Sequence, residues 1–167
     1  NLQGGFSFVV INKKNREIIV ATDHFHLYPV FYIVSSEAIL ISTSIKFLKK
    51  FNKGLLDEEI IFDYLMSGLP RKGRTIFKDI NVLENNCFMK IKEGATDIHK
   101  YNEFKCKIDE QKNEKFYIEN FKKLFYQVIN EQLKKTTPKV ASTLSGGLDS
   151  SSIVCVANDL ISNKYKA

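Results

Sequence analysis

The sequence predicts an α/β protein in two parts: a layered, strand-rich sandwich over about residues 1–104, and the opening of a parallel-sheet domain over 115–167. Three observations predict it. Short runs rich in Val, Ile and Phe alternate with polar turns up to about residue 101. A long segment with apolar residues every three or four positions follows. A short apolar run then enters a Gly-Gly turn and a second helical pattern.

Residues 5–12 (GFSFVVIN) and 17–22 (EIIVAT) flank the polar stretch KKNR and read as two antiparallel strands joined by a turn. Further strands are expected at 30–34 and 38–43, with Tyr28, Phe31 and Tyr32 in the sandwich core. The period then lengthens. Ile45, Leu48 and Lys49 suit a short helix, and Ile60, Ile61, Tyr64 and Leu65 a second one. Asp57 is placed as its N-cap, and Gly68 and Pro70 as its stop. Residues 87–101 read as a hairpin, CFMKIK and TDIHKY around Glu93-Gly94. The polar stretch 105–114 is the expected linker.

From Lys115 to Lys134, Ile118, Phe121, Leu124, Phe125, Val128, Ile129 and Leu133 form one apolar stripe, which predicts a long helix facing a core. After Thr136-Thr137-Pro138, Val140 to Leu144 is expected as a strand. A helix should run on through Ile153, Val154, Val156, Ala157 and Leu160.

At 167 residues and 44% hydrophobic content the chain can build a packed core. Its charge of +6, from 25 Lys and Arg against 19 acids, is scattered over pairs such as Lys13-Lys14, Lys49-Lys50, Lys122-Lys123 and Lys134-Lys135. That describes a solvated surface; a nucleic-acid footprint needs its charges on one face. Cys87, Cys106 and Cys155 form no C-x-x-C pair, so neither a disulfide framework nor a zinc site is expected, and a reducing, cytoplasmic setting is the simplest reading. No apolar run reaches the roughly 18 to 20 residues that span a bilayer, so no membrane partner is expected. His24 and His26 lack a third ligand nearby, which favours packing over metal binding. The chain opens on Asn1 in the lead-in to a strand and stops just past a helix, so both ends read as cut.

The chemistry concentrates at Ser145-Gly146-Gly147-Leu148-Asp149-Ser150-Ser151. Two glycines between a strand and a helix let backbone N–H groups approach a ligand, and the helix start adds partial positive charge, so the turn favours an anion. Hydroxyls on Ser145, Ser150 and Ser151 can donate to phosphate oxygens. Asp149 would repel a bare phosphate but suits a Mg²⁺ that bridges phosphates. No lysine follows the glycines, and the G-x-G-x-x-G spacing is absent, so the loop is neither of those two phosphate motifs.

The run LSGGLDSS resembles the pyrophosphate loop of ATP pyrophosphatases in the form found in asparagine synthetases. Upstream, Leu2 to Phe8 (LQGGFSF) is similar to the L-x-G-x-F-A-F strand of that family, and Asp23 to Tyr32 (DHFHLYPVFY) to its D-x-x-G-x-x-P-L-Y-Y turn. Ser42 to Leu48, Thr75 to Ile80 and Tyr101 follow in the family's order, so the likeness runs nearly the length of the chain. The resemblance implies a partial glutaminase-type αββα sandwich over 1–104, a linker, and the start of an ATP pyrophosphatase domain over 115–167.

It also implies a function: aspartate is converted to asparagine through an acyl adenylate, with ATP and Mg²⁺ and with nitrogen from glutamine or ammonia. Leu144, Ser145, Gly146, Gly147, Asp149, Ser150 and Ser151 would hold ATP and its pyrophosphate, with Asp149 on Mg²⁺ through the nucleotide. No catalytic residue is assigned, and residues 1–167 alone are expected to have no turnover. The resemblance leaves a homodimer open. A related amide-forming enzyme, of the lasso-peptide cyclase or β-lactam synthetase type, and a non-catalytic binding module are the alternatives.

Three positions depart from the family pattern. Asn1 stands where relatives often have an acid. His26 replaces a turn glycine, and Leu83-Glu84-Asn85-Asn86 replaces L-P-P-G. Each lost glycine predicts either a different backbone path or an Asn in the left-handed conformation.

Overall fold

The computed structural model describes residues 2, 4–52, 54–68, 73–106, 109–135 and 140–164. Asn1, the stop expected at Pro70 and the Thr136-Thr137-Pro138 stretch before the expected strand lie outside them. The chain divides into two compact units, Asn1–Lys105 and Cys106–Ala167.

The described residues of the first unit form seven strands: β1 (Ser7–Asn12), β2 (Glu17–Thr22), β3 (Phe31–Val34), β4 (Ile39–Ser42), β5 (Asn81–Val82), β6 (Cys87–Lys92) and β7 (Ala95–Lys100). They form a four-stranded sheet in the order β1-β2-β6-β7 and a three-stranded sheet in the order β4-β3-β5, with every pairing antiparallel. The β6–β7 hairpin turns on Glu93 and Gly94, both at positive φ (51° and 81°), which matches the twist of the flanking strands.

Alternation decides which side chains meet. Val20 of β2 and Cys87, Met89 and Ile91 of β6 point from the first sheet onto Val30, Leu83, Tyr32, Ile39 and Ile41. The opposite face of the second sheet sends Ile33 against Leu48 and Ile80, with Phe31, Leu40, Ile45 and Phe77 around them. Leu48 comes from the short helix α1 (Ile45–Leu48), capped by Ser44. The layering is therefore sheet, sheet, helix. Tyr28 is not part of this core as expected: it is 56% exposed, because it sits in the turn before β3.

Helix α2 (Glu58–Ser67) starts where the sequence places it. Asp57 accepts from the Ile60 N–H at 3.4 Å, and Gly68 closes the helix at φ 72°. The Asp57 carboxylate also pairs with Arg74, which reaches Glu59 at 3.2 Å. Strand β5 escapes a sequence reading because two residues display no period.

The second unit contains α3 (Glu114–Lys135) and α4 (Leu148–Lys164). It buries Ile129 and Val156, while Ile118, Phe121, Leu124 and Val128 stay exposed. The stripe predicted to face a core is thus only partly covered. Residues 140–144 form no strand: a strand exists through ladder bonds to a neighbour, and all described strands belong to the first unit. The parallel sheet expected here is not formed among the described residues. No helix among them is long and apolar enough to cross a membrane.

Candidate functional site

In the first unit the Asp23 carboxylate, just past the end of β2, is 1% exposed. It accepts from the backbone N–H groups of Phe25 (2.8 Å), Leu27 (3.1 and 3.2 Å), Phe6 (3.2 Å) and Tyr28 (3.4 Å). Its own N–H donates to the Phe6 carbonyl at 2.9 Å, and its carbonyl accepts from the Asn86 N–H at 3.1 Å. Burial pushes the carboxyl up, but the N–H bonds from Phe25, Leu27, Phe6 and Tyr28 outweigh it and hold it below its ordinary value. One residue therefore joins three segments: its carboxylate ties the approach to β1 to the turn before β3, and its backbone carbonyl holds the loop before β6.

Beside it, His24 Nδ1 donates to Asn86 Oδ1 at 2.5 Å, and the Asn85 amide donates to the His24 carbonyl at 3.1 Å. Tyr101 donates its hydroxyl to the Thr22 carbonyl at 2.6 Å and its N–H to the Asn86 carbonyl at 2.8 Å. Both replaced glycines keep the left-handed backbone. Asn86 adopts φ 59°, as an asparagine readily does, and His26 adopts φ 57° despite its imidazole. The His26 Nε2 is buried without a hydrogen-bond partner. His26→Gly should therefore stabilise the first unit by about 0.5–1 kcal/mol, read as a raised thermal midpoint, since left-handed strain is relieved at some cost in unfolded-chain entropy. His24 and His26 join no metal-binding group among the described residues. His99 stacks on Phe88, with ring centres 5.0 Å apart.

In the second unit the structure draws residues 145–151 into one closed loop at the start of α4. Ser150 Oγ accepts from the Ser145 N–H at 3.3 Å and donates to the Gly147 carbonyl at 3.2 Å. Ser145 Oγ, 3.0 Å from Ser150 Oγ, is then the donor of that pair. Ser151 donates both its hydroxyl (2.8 Å) and its N–H (3.2 Å) to the same Gly147 carbonyl. All three hydroxyl protons are thus engaged inside the loop. Gly146 takes φ 83°, and a Cβ there would meet nothing within 4 Å; at Gly147 it would meet only Ser145 Oγ, at 3.6 Å. The front of the turn is open to solvent. Asp149 lies in the first turn of α4, exposed and without a partner among the described residues. Leu144 is also exposed, at 65%.

Residues 1–102 match the family model described as glutamine amidotransferase domain, and residues 120–166 the one described as asparagine synthase. The chain belongs to the asparagine synthetase family and spans both of those domains.

It is 27% identical over 165 residues to amidase chyE of Penicillium rubens, covering 96% of this chain and 24% of that protein. It is 26% identical over 173 residues to glutamine-hydrolyzing asparagine synthetase 3 of Bacillus subtilis, covering 100% of this chain and 27% of that protein. The chain thus spans about a quarter of the length of these curated relatives.

In the sequence Asp23 is only the first letter of a turn motif, and Glu84 only a departure from one. The motif was the single available signal for the Asp23 clamp, since its donors come from residues 6, 25, 27 and 28 and meet only in the fold.

Proposed function

We propose that the protein is an ATP-dependent amide synthetase that converts aspartate to asparagine through an acyl adenylate, with nitrogen from glutamine or ammonia. The observation that carries this reading is the SGGLDSS loop, closed on itself at the start of α4 and open at its front. The match of residues 120–166 to asparagine synthase supports it. We further propose that residues 140–144 belong to an ATP pyrophosphatase-type parallel sheet.

ATP is a substrate in this reading, and Leu144, Ser145, Gly146, Gly147, Asp149, Ser150 and Ser151 are the residues that hold it. A carboxylate oxygen is a poor leaving group, so a site that activates the acid must stabilise charge building on departing pyrophosphate. Gly146 and Gly147 leave room for that anion against the backbone. Ser145, Ser150 and Ser151 keep the turn in shape through their bonds to one another and to Gly147; the N–H groups of Ser145, Gly147 and Ser151 are spent inside it, so the donors left for the anion are the other backbone N–H groups of the turn. Asp149 would hold Mg²⁺, which when bound supplies positive charge to the phosphates.

Pyrophosphate release from ATP by the full-length protein, measured with aspartate and with a panel of other acids and peptides, tests the proposal. Release driven by aspartate, with asparagine formed, is expected. Release only with another acid or a peptide would move the protein among the other amide-forming relatives, and no release with any acid would overturn the reading.

A further inference from the structure

Between α2 and the second sheet lies a cavity of about 750 Å³, within the range of small-molecule sites. Its walls are mostly apolar, with Phe31, Tyr64, Leu65 and Ile76 among them. Two polar groups in that lining lack partners. The Glu84 carboxylate, half-buried, makes no ion pair or hydrogen bond among the described residues, and its Oε1 lies 3.5 Å from where a Gly73 Cβ would stand. His26 adds the imidazole whose Nε2 is buried without a partner. The cation in the lining, Arg74, is already committed to Asp57 and Glu59.

No cation among the described residues pairs with the Glu84 carboxylate. Its field is felt by its neighbours: burial and then Glu84 raise both the Tyr32 hydroxyl and the Cys87 thiol above their ordinary values. A mostly apolar chamber that offers one unpaired carboxylate is complementary to one kind of ligand.

We propose that this cavity binds a small amphiphilic cation, an ammonium group on an apolar or aromatic stem. The ammonium donates to the Glu84 carboxylate, and the stem lies against Phe31, Tyr64, Leu65 and Ile76. The site lies in the first unit and does not depend on the nucleotide reading of the second.

The protein contains no tryptophan, so the fluorescence of an indole ligand can be followed without interference from protein indole. Tryptamine and its neutral analogue tryptophol, titrated into the 167-residue chain and followed by indole anisotropy, separate charge from shape. Tryptamine should bind about tenfold more tightly than tryptophol, the worth of one charge-assisted hydrogen bond. Glu84→Gln should erase that difference, whereas Glu84→Asp should retain most of it. Leu65→Ala, at an exposed wall position, should weaken both ligands alike by about two- to fivefold. The proposal is overturned if tryptamine does not bind, if tryptophol binds equally well, or if a folded Glu84→Gln variant binds tryptamine as before. Should Glu84→Gln fail to fold, tryptamine affinity that does not fall with added salt overturns it equally.

Discussion

Asp23→Ala is expected to destabilise the first unit by about 3–5 kcal/mol, measured by denaturant unfolding at neutral pH. Four partly buried backbone N–H groups lose their acceptor together; a donor left unpaired costs about 1–3 kcal/mol where it is buried, and relaxation and entering water reduce the sum. Asp23→Asn should cost less, because its amide keeps one oxygen for these donors but turns an NH₂ towards the rest. The loss should also depend on pH. The folded carboxyl titrates below its unfolded value, so its contribution is complete above about pH 3.9 and disappears as pH falls through the folded value. Wild type and Asp23→Ala should therefore draw together in acid. A constant gap down to pH 2 would show that the carboxylate charge has no part in the clamp.

The second large effect concerns activity with stability unchanged. Asp149→Ala should lower pyrophosphate release by the full-length protein about a hundredfold or more, the loss expected when a ligand to a charge-stabilising metal is removed. The thermal midpoint should barely move, because the side chain is exposed and unpartnered, and such substitutions cost within about 0.5 kcal/mol. Undiminished release in Asp149→Ala would remove the carboxylate from the proposed site and favour a loop that binds an anion without catalysis.

Local chemistry was legible in the sequence wherever one element carries its own signal. The alternating runs of β1, β2 and the β6–β7 hairpin were readable, as were the Asp57 cap and Gly68 stop of α2 and the extent of α3. The SGGLDSS turn could be placed at a helix start because glycine and hydroxyl residues bend the chain whatever surrounds them. Asn86 fits the same account, for its left-handed preference travels with its side chain.

What the sequence could not contain is any property that needs two distant segments. The apolar residues of 140–144 satisfied a strand pattern, yet a strand requires a neighbouring ladder, and none is formed there. The stripe on α3 announced a core, but how much of it is covered depends on what packs against it. Asp23 became a clamp only when the sandwich brought the N–H groups of residues 6, 25, 27 and 28 around one carboxylate. Glu84 and His26, 58 positions apart in the chain, share a cavity because α2 and the second sheet enclose them together. Periodicity and turn chemistry belong to short stretches and are written in the sequence by itself. Burial, pairing and charge complementarity arise from contacts between stretches, so only the tertiary structure could decide them.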